Sequence, residues 1–159
     1  MSLAPKLLSF AVLMALGGTA AAGPRDAAIE RAQGLARANA GALHASALDR
    51  FVSRDVVVDA DGTEHVRFDR SYAGLPVIGG DVVVHSRNGQ FKSASLMLKT
   101  RARPDVTPSL NADQAMVAAG ADFHGKIDSV SSQGLVVYAG AGSRPAMAYE
   151  IRLVGVSDK

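Results

Sequence analysis

The chain has 159 residues, no cysteine, no tryptophan and a formal net charge of +2. Its arginines are scattered among carboxylates, and three tyrosines and five phenylalanines are few to stack bases, so composition argues against a nucleic-acid partner. The absence of cysteine excludes disulfide and thiolate chemistry and leaves core packing to hold the fold together.

Taken in chain order, the first segment reads as an address. Lys6 gives a positive start, Leu7 to Leu16 is an apolar run, and Thr19-Ala20-Ala21-Ala22 supplies small residues before Gly23, the pattern of a signal peptide cut after Ala22. The run is too short to span a bilayer, and no later stretch approaches ~18 consecutive apolar residues. The expected product is therefore secreted or periplasmic, has no membrane anchor after cleavage, and keeps 137 of the 159 residues. Removing Lys6 lowers its formal charge to +1.

An alanine-rich stretch with dispersed charges, Arg25 to about Asn39, predicts a helix, with Asp26 placed to cap its first turn. Gly41 interrupts it, and Ala42 to Phe51 is expected to add a further helical turn or two. At Val56 the period changes to two. Val56-Val57-Val58 leads through Asp59-Ala60-Asp61-Gly62, a hairpin turn, into a return strand from Glu64 to Tyr72. Alternation puts Val66, Phe68, Arg70 and Tyr72 on one face and Arg67, Asp69 and Ser71 on the other. Phe68 and Tyr72 are expected in the core. Gly74-Leu75-Pro76 is read as a turn, followed by a strand through Val77-Ile78 and Asp81 to His85 with Gly79-Gly80 inside it, where glycine marks a bulge or a close backbone approach. Asn88-Gly89 predicts a second hairpin into Gln90–Lys99.

Arg101 to Pro108 carries two prolines and is the expected linker, dividing the chain into 23–100 and 109–159. Beyond it, Asn111 or Ser109 is placed to cap a helix, Gln114 stands in the capping-box position three residues after Asn111, and Ala112, Ala115, Met116, Ala119 and Phe123 recur at helical spacing. Three strands are expected after this helix: 126–131, 135–139 and 146–154. The last has Met147, Tyr149, Ile151 and Leu153 on one face and is an edge in need of a partner. The fold class is α+β, an antiparallel meander covered by the N-terminal helix and followed by a smaller helix-plus-sheet unit.

No constellation of catalytic residues emerges. His44, His65, His85 and His124 are not paired at ligand spacing, and Glu64-His65 lacks the second histidine one turn on that a zinc protease helix requires. His65 and His85 are able to meet across strands, but imidazoles on a sheet are ordinarily surface residues, and no metal or cofactor is assigned. Asp59 to Glu64 begins like a calcium loop but runs at once into a strand. Gly140-Ala141-Gly142-Ser143 precedes a strand rather than a helix and reads as a turn, not a phosphate loop. No Gly-x-Ser-x-Gly elbow is present.

From Asp59 to His85, DADGTEHVRFDRSYAGLPVIGGDVVVH resembles the FTP domain, the fungalysin and thermolysin propeptide, nearly without a break. Phe68, Tyr72, Gly74, Pro76, Gly79 and Gly80 are its structural signature, and the meander under one helix is cystatin-like. Ser109 to Val154 resembles, less specifically, the PepSY domain that follows it in such precursors, with a C-terminus that stops short of the last strand. The resemblance implies an intramolecular chaperone and inhibitor of a thermolysin-like zinc metalloprotease, its partner in cis in the family and in trans if this module acts alone. The sequence carries no His-Glu-x-x-His motif, so no peptidase or zinc-binding residue transfers to it. Arg67, Asp69 and Asp81 are the candidate protease-contact residues because their side chains leave the core face. Other expectations are the N-terminal piece of a truncated precursor, a cystatin-like envelope binding domain without a protease, and a homodimer through the last strand.

Overall fold

A computed structural model of the chain describes residues 23–140 and 144–157, so the signal-peptide reading and most of the Gly140–Ser143 turn lie outside the described residues. The elements in order are α1 (Pro24–Ala38), β1 (Asp49–Val58), β2 (Thr63–Tyr72), β3 (Leu75–Ile78), β4 (Val82–Arg87), β5 (Gln90–Leu96), α2 (Ala112–Ala121), β6 (Gly125–Tyr138) and β7 (Ala146–Ser157). The architecture is α+β, with two helices and one mostly antiparallel sheet ordered β5-β4-β2-β3-β6-β7, β1 lying on the other edge of β2.

The first helix forms much as its sequence directs. Pro24 opens it, the Asp26 carboxylate accepts a hydrogen bond from Gly23 N at 3.2 Å, and Ala28, Ala32 and Ala36 recur every four residues as a small buried stripe. That stripe allows α1 to sit close on the sheet, over a core of Leu43, Val66, Phe68, Val82 and Val84 flanked by Ile29, Phe51, Val56 and Phe91. Phe51 meets Phe68 edge to face, with centroids 6.4 Å apart.

Four expectations are corrected. No helix spans Ala42 to Phe51. His44 takes a left-handed φ of 49° and the Asp49 carboxylate accepts from Ser46 N at 2.6 Å, so the chain turns and β1 starts at Asp49, seven residues before Val56. The tight turn after β2 is Ala73-Gly74, with φ of 49° and 85°, while Leu75 and Pro76 already belong to β3. Gly79 and Gly80 do not lie within one strand but separate two. Ser71 faces Pro76 and Phe68 faces Val82, so three steps along β2 are matched by six on the neighbouring chain, and 79–81 loop out. The strands expected at 126–131 and 135–139 are one strand, β6, continuous through two register irregularities and paired with β7 along its length.

The loop at 79–81 lets β3 join the second half of the sheet. Val77 and Ile78 pair in parallel with Val137 and Tyr138, and Val77, Leu98, Val137 and Ala139 form a second small core beneath Tyr72, Leu75 and Met147. A Cβ on Gly79, whose φ is 77°, would stand 2.6 Å from the Ala139 carbonyl oxygen, so glycine is required by both conformation and space. The helix α2 has its Asn111–Gln114 capping box, both hydrogen bonds 2.9 Å, yet no residue of it is buried.

Candidate functional site

One face of the β1-β2-β4-β5 layer is covered by α1; the opposite face is open. Along β2, Val66, Phe68 and Arg70 are buried and the residues between them are exposed or half-exposed, as the period-two pattern predicts. Arg67, Asp69 and Asp81 come together on the open face through a residue that sequence reasoning missed, Arg54. Its guanidinium lies 3.4 Å from Asp69 and 3.9 Å from Asp81, and Arg67 lies 3.3 Å from the same Asp81 oxygen. Arg54 is the extra residue of a bulge in β1, where Ser53 faces Phe68 but Asp55 already faces Arg67. The bulge shifts the alternation, and Arg54 and Asp55 are consecutive exposed residues. The only local signal is the charged pair Arg54-Asp55 in a strand whose neighbours alternate.

The four side chains of this network are between 30% and 60% exposed. Ion pairs this open contribute little to stability, because water solvates both partners and holding long side chains costs entropy. Their arrangement of two guanidinium and two carboxylate groups suits recognition, where charge sets orientation and register. Val52 and Val57, both exposed, flank them on β1 and offer apolar area to the same face.

Beside the network, His65 on β2 stands directly opposite His85 on β4. Burial, then the neighbouring His65, hold the His85 imidazole below the ordinary histidine value. Among the described residues no three histidine, aspartate or glutamate side chains converge as a metal cage.

A second charged cluster is buried and also went unread in the sequence. Arg103, in the expected linker, reaches back across 54 residues to Asp49 at 2.8 Å and to the His44 carbonyl at 2.8 Å. Arg70, wholly buried, donates to the Leu43 carbonyl at 2.6 Å, lies 3.8 Å from Asp49 and rests on the Phe51 ring. Arg103 stands over Tyr72 in the same way. Burial pulls the Arg70 guanidinium down to about 10, which leaves it charged at neutral pH. For Asp49, burial acts to raise the carboxyl, but hydrogen bonds from Arg103 and Ser46 and the charge of Arg70 overcome it and hold the group below its usual range. This cluster is structural: it ties the segment after β5 to the start of β1. Phe68 is fully buried, Tyr72 half-buried, Gly74 sits in the hairpin turn and Pro76 is exposed at the start of β3.

Comparison with known proteins fits this geometry. Residues 49–96 match the Fungalysin/Thermolysin Propeptide Motif, a span running from the first residue of β1 to the last of β5. The chain is similar to the "Transglutaminase-activating metalloprotease" of Streptomyces mobaraensis, 41% identical over 124 residues, covering 73% of this chain and 16% of that protein. The chain thus spans about a sixth of the length of this relative. Both similarities support the propeptide of a fungalysin/thermolysin-type protease, and a propeptide is the non-catalytic part of such a precursor.

Proposed function

We propose that this chain is a secreted propeptide module that assists the folding of a thermolysin-like zinc metalloprotease and inhibits it, docking through the open face that carries Arg54, Arg67, Asp69 and Asp81. The supporting observation is the coincidence of the propeptide match with the strands that build this face. Residues 23–100 form the cystatin-like FTP unit in this reading, 101–108 the connection and 109–159 a PepSY-like unit. The far edge of β7 carries no strand among the described residues, and it is a second place for the protease or another copy of the chain to add one.

The test is to refold a denatured thermolysin-like metalloprotease with the purified chain and to assay the native protease with it. Unmodified chain raises the refolding yield or lowers proteolysis. A double charge reversal, Arg67→Glu with Asp69→Arg, weakens both effects at least tenfold and leaves the melting temperature unchanged. Equal activity of wild-type and reversed chains would move the docking site off this face, and no effect from either would remove the proposal.

The share of the relative covered by this chain favours a second reading, in which the module acts in cis as the first part of a precursor. Reading the nucleotide sequence downstream decides it: an in-frame His-Glu-x-x-His segment establishes the cis arrangement, and an unrelated gene removes it and favours a standalone modulator.

A further inference from the structure

The imidazoles on the open face are arranged more specifically than two surface residues need to be. His65 and His85 have ring centroids 4.8 Å apart with planes at 71°, and their Nδ1 atoms approach to 2.5 Å. Each outer nitrogen is anchored: Nε2 of His65 lies 3.0 Å from the Asp59 carboxylate, and Nε2 of His85 lies 2.9 Å from the Ser95 hydroxyl. A carboxylate only accepts, so His65 Nε2 carries the proton and the Nδ1 of neutral His65 is a lone pair aimed at its neighbour. At 2.5 Å two bare lone pairs would repel, so in the metal-free chain His85 Nδ1 donates to His65 and the Ser95 hydroxyl donates to His85 Nε2; when that hydroxyl turns to accept instead, a cation takes the place of the bridging proton.

We propose that His65 and His85 chelate one divalent ion of borderline softness, such as Zn2+ or Ni2+, through their Nδ1 atoms, with water completing the coordination. Neutral imidazole is a preferred ligand for such ions. An outer N–H donated to a carboxylate is the arrangement that fixes the tautomer and orientation of metal-bound histidine, and Asp59 supplies it here. Asp59 and Asp61 add negative charge at the same end of the β1–β2 hairpin, Asp61 shared with Arg87 at 3.3 Å. Metal–nitrogen bonds of ~2.0–2.1 Å at a tetrahedral angle separate the two nitrogens by roughly 3.3 Å, so the rings need to part by less than about 1 Å. Side-chain rotation on a half-exposed face allows that. A bound ion would clip β2 to β4 across the middle of the layer and stabilise the folded state in proportion to its occupancy.

The experiment titrates tag-free full-length chain with zinc chloride and nickel chloride by calorimetry, with the melting temperature followed in parallel. One ion per chain is expected, with a melting temperature that rises with metal and returns on addition of EDTA. His85→Gln and His65→Gln each weaken binding at least tenfold, and His124→Gln does not. Should a glutamine variant fold poorly, the unmodified chain gives the answer by NMR: the Nδ1 resonances of two histidines shift with zinc. Absence of binding at millimolar metal, undiminished binding in His85→Gln, or zinc leaving both Nδ1 resonances unmoved would overturn the proposal and leave a proton alone between the rings.

Discussion

Phe68 shows how unevenly stability is distributed among the signature residues. It is fully buried between α1 and the sheet, so Phe68→Ala removes apolar contact and leaves a cavity, and chemical denaturation should register a loss of about 3–5 kcal/mol. Gly79→Ala has no cavity to blame. A methyl group would meet the Ala139 carbonyl in a left-handed backbone conformation, so this single carbon should lower the melting temperature, whereas Gly34→Ala, inside α1 with nothing within 4 Å of the added methyl, should not. Asp49 is the most deeply buried source of pH dependence among the carboxylates held below their usual range. Its folded carboxyl titrates below its unfolded value, so its contribution is complete above the ordinary carboxylate pKa of ~3.9 and is lost as pH falls through the lowered folded value. Urea midpoints measured between neutral pH and pH 2.5 should fall on acidification for the natural chain, and the part owed to Asp49 should vanish in Asp49→Asn. The alternation that buries Phe68 and exposes Arg67 and Asp69 was legible in the sequence because a strand's period is fixed by covalent geometry. Arg54 and Arg103 were not legible, since a bulge breaks the alternation at one and the other finds its partner 54 residues away.

At the scale of elements, the turns were read best where the chemistry is local. Asn88-Gly89 adopts φ of 52° and 70°, and Asp59 to Gly62 closes with two backbone hydrogen bonds of 2.8 and 2.9 Å. The start of β1 was missed because Ala42-Leu43-His44-Ala45-Ser46-Ala47-Leu48 has helical composition, and only the tertiary hold on Leu43 and Asp49 turns it into a loop. β6 was split in two because its serines and Gly134 look like a break, whereas β7 carries it through by pairing on both sides of the irregularity. The packing of α2 could not be inferred from its spacing. Despite a complete capping box it buries no residue, and a cleft of about 100 Å³ lies between its start and Leu135, Met147 and Tyr149. Its stability therefore rests more on its ends than on its face. Asn111→Ala should cost about 1 kcal/mol, and hydrogen exchange should find the amides of α2 opening well before those of β2 and β4.

For the whole molecule, the decisive features are the parallel meeting of β3 with β6 and the hold of Arg103 on Asp49, both contacts between segments far apart in the chain. Replacing Arg103 by alanine leaves the Asp49–Arg70 pair buried with one cation fewer, a change expected to cost ~3–5 kcal/mol by thermal or urea denaturation. The exposed run from Asp105 to Leu110 begins just beyond this tie, while Ala102, Arg103 and Pro104 are partly covered. A nick in that run would sever the covalent thread and little else. β3 would still grip β6 over the core of Val77, Leu98, Val137 and Ala139, so the two fragments should elute as one particle and separate only in denaturant.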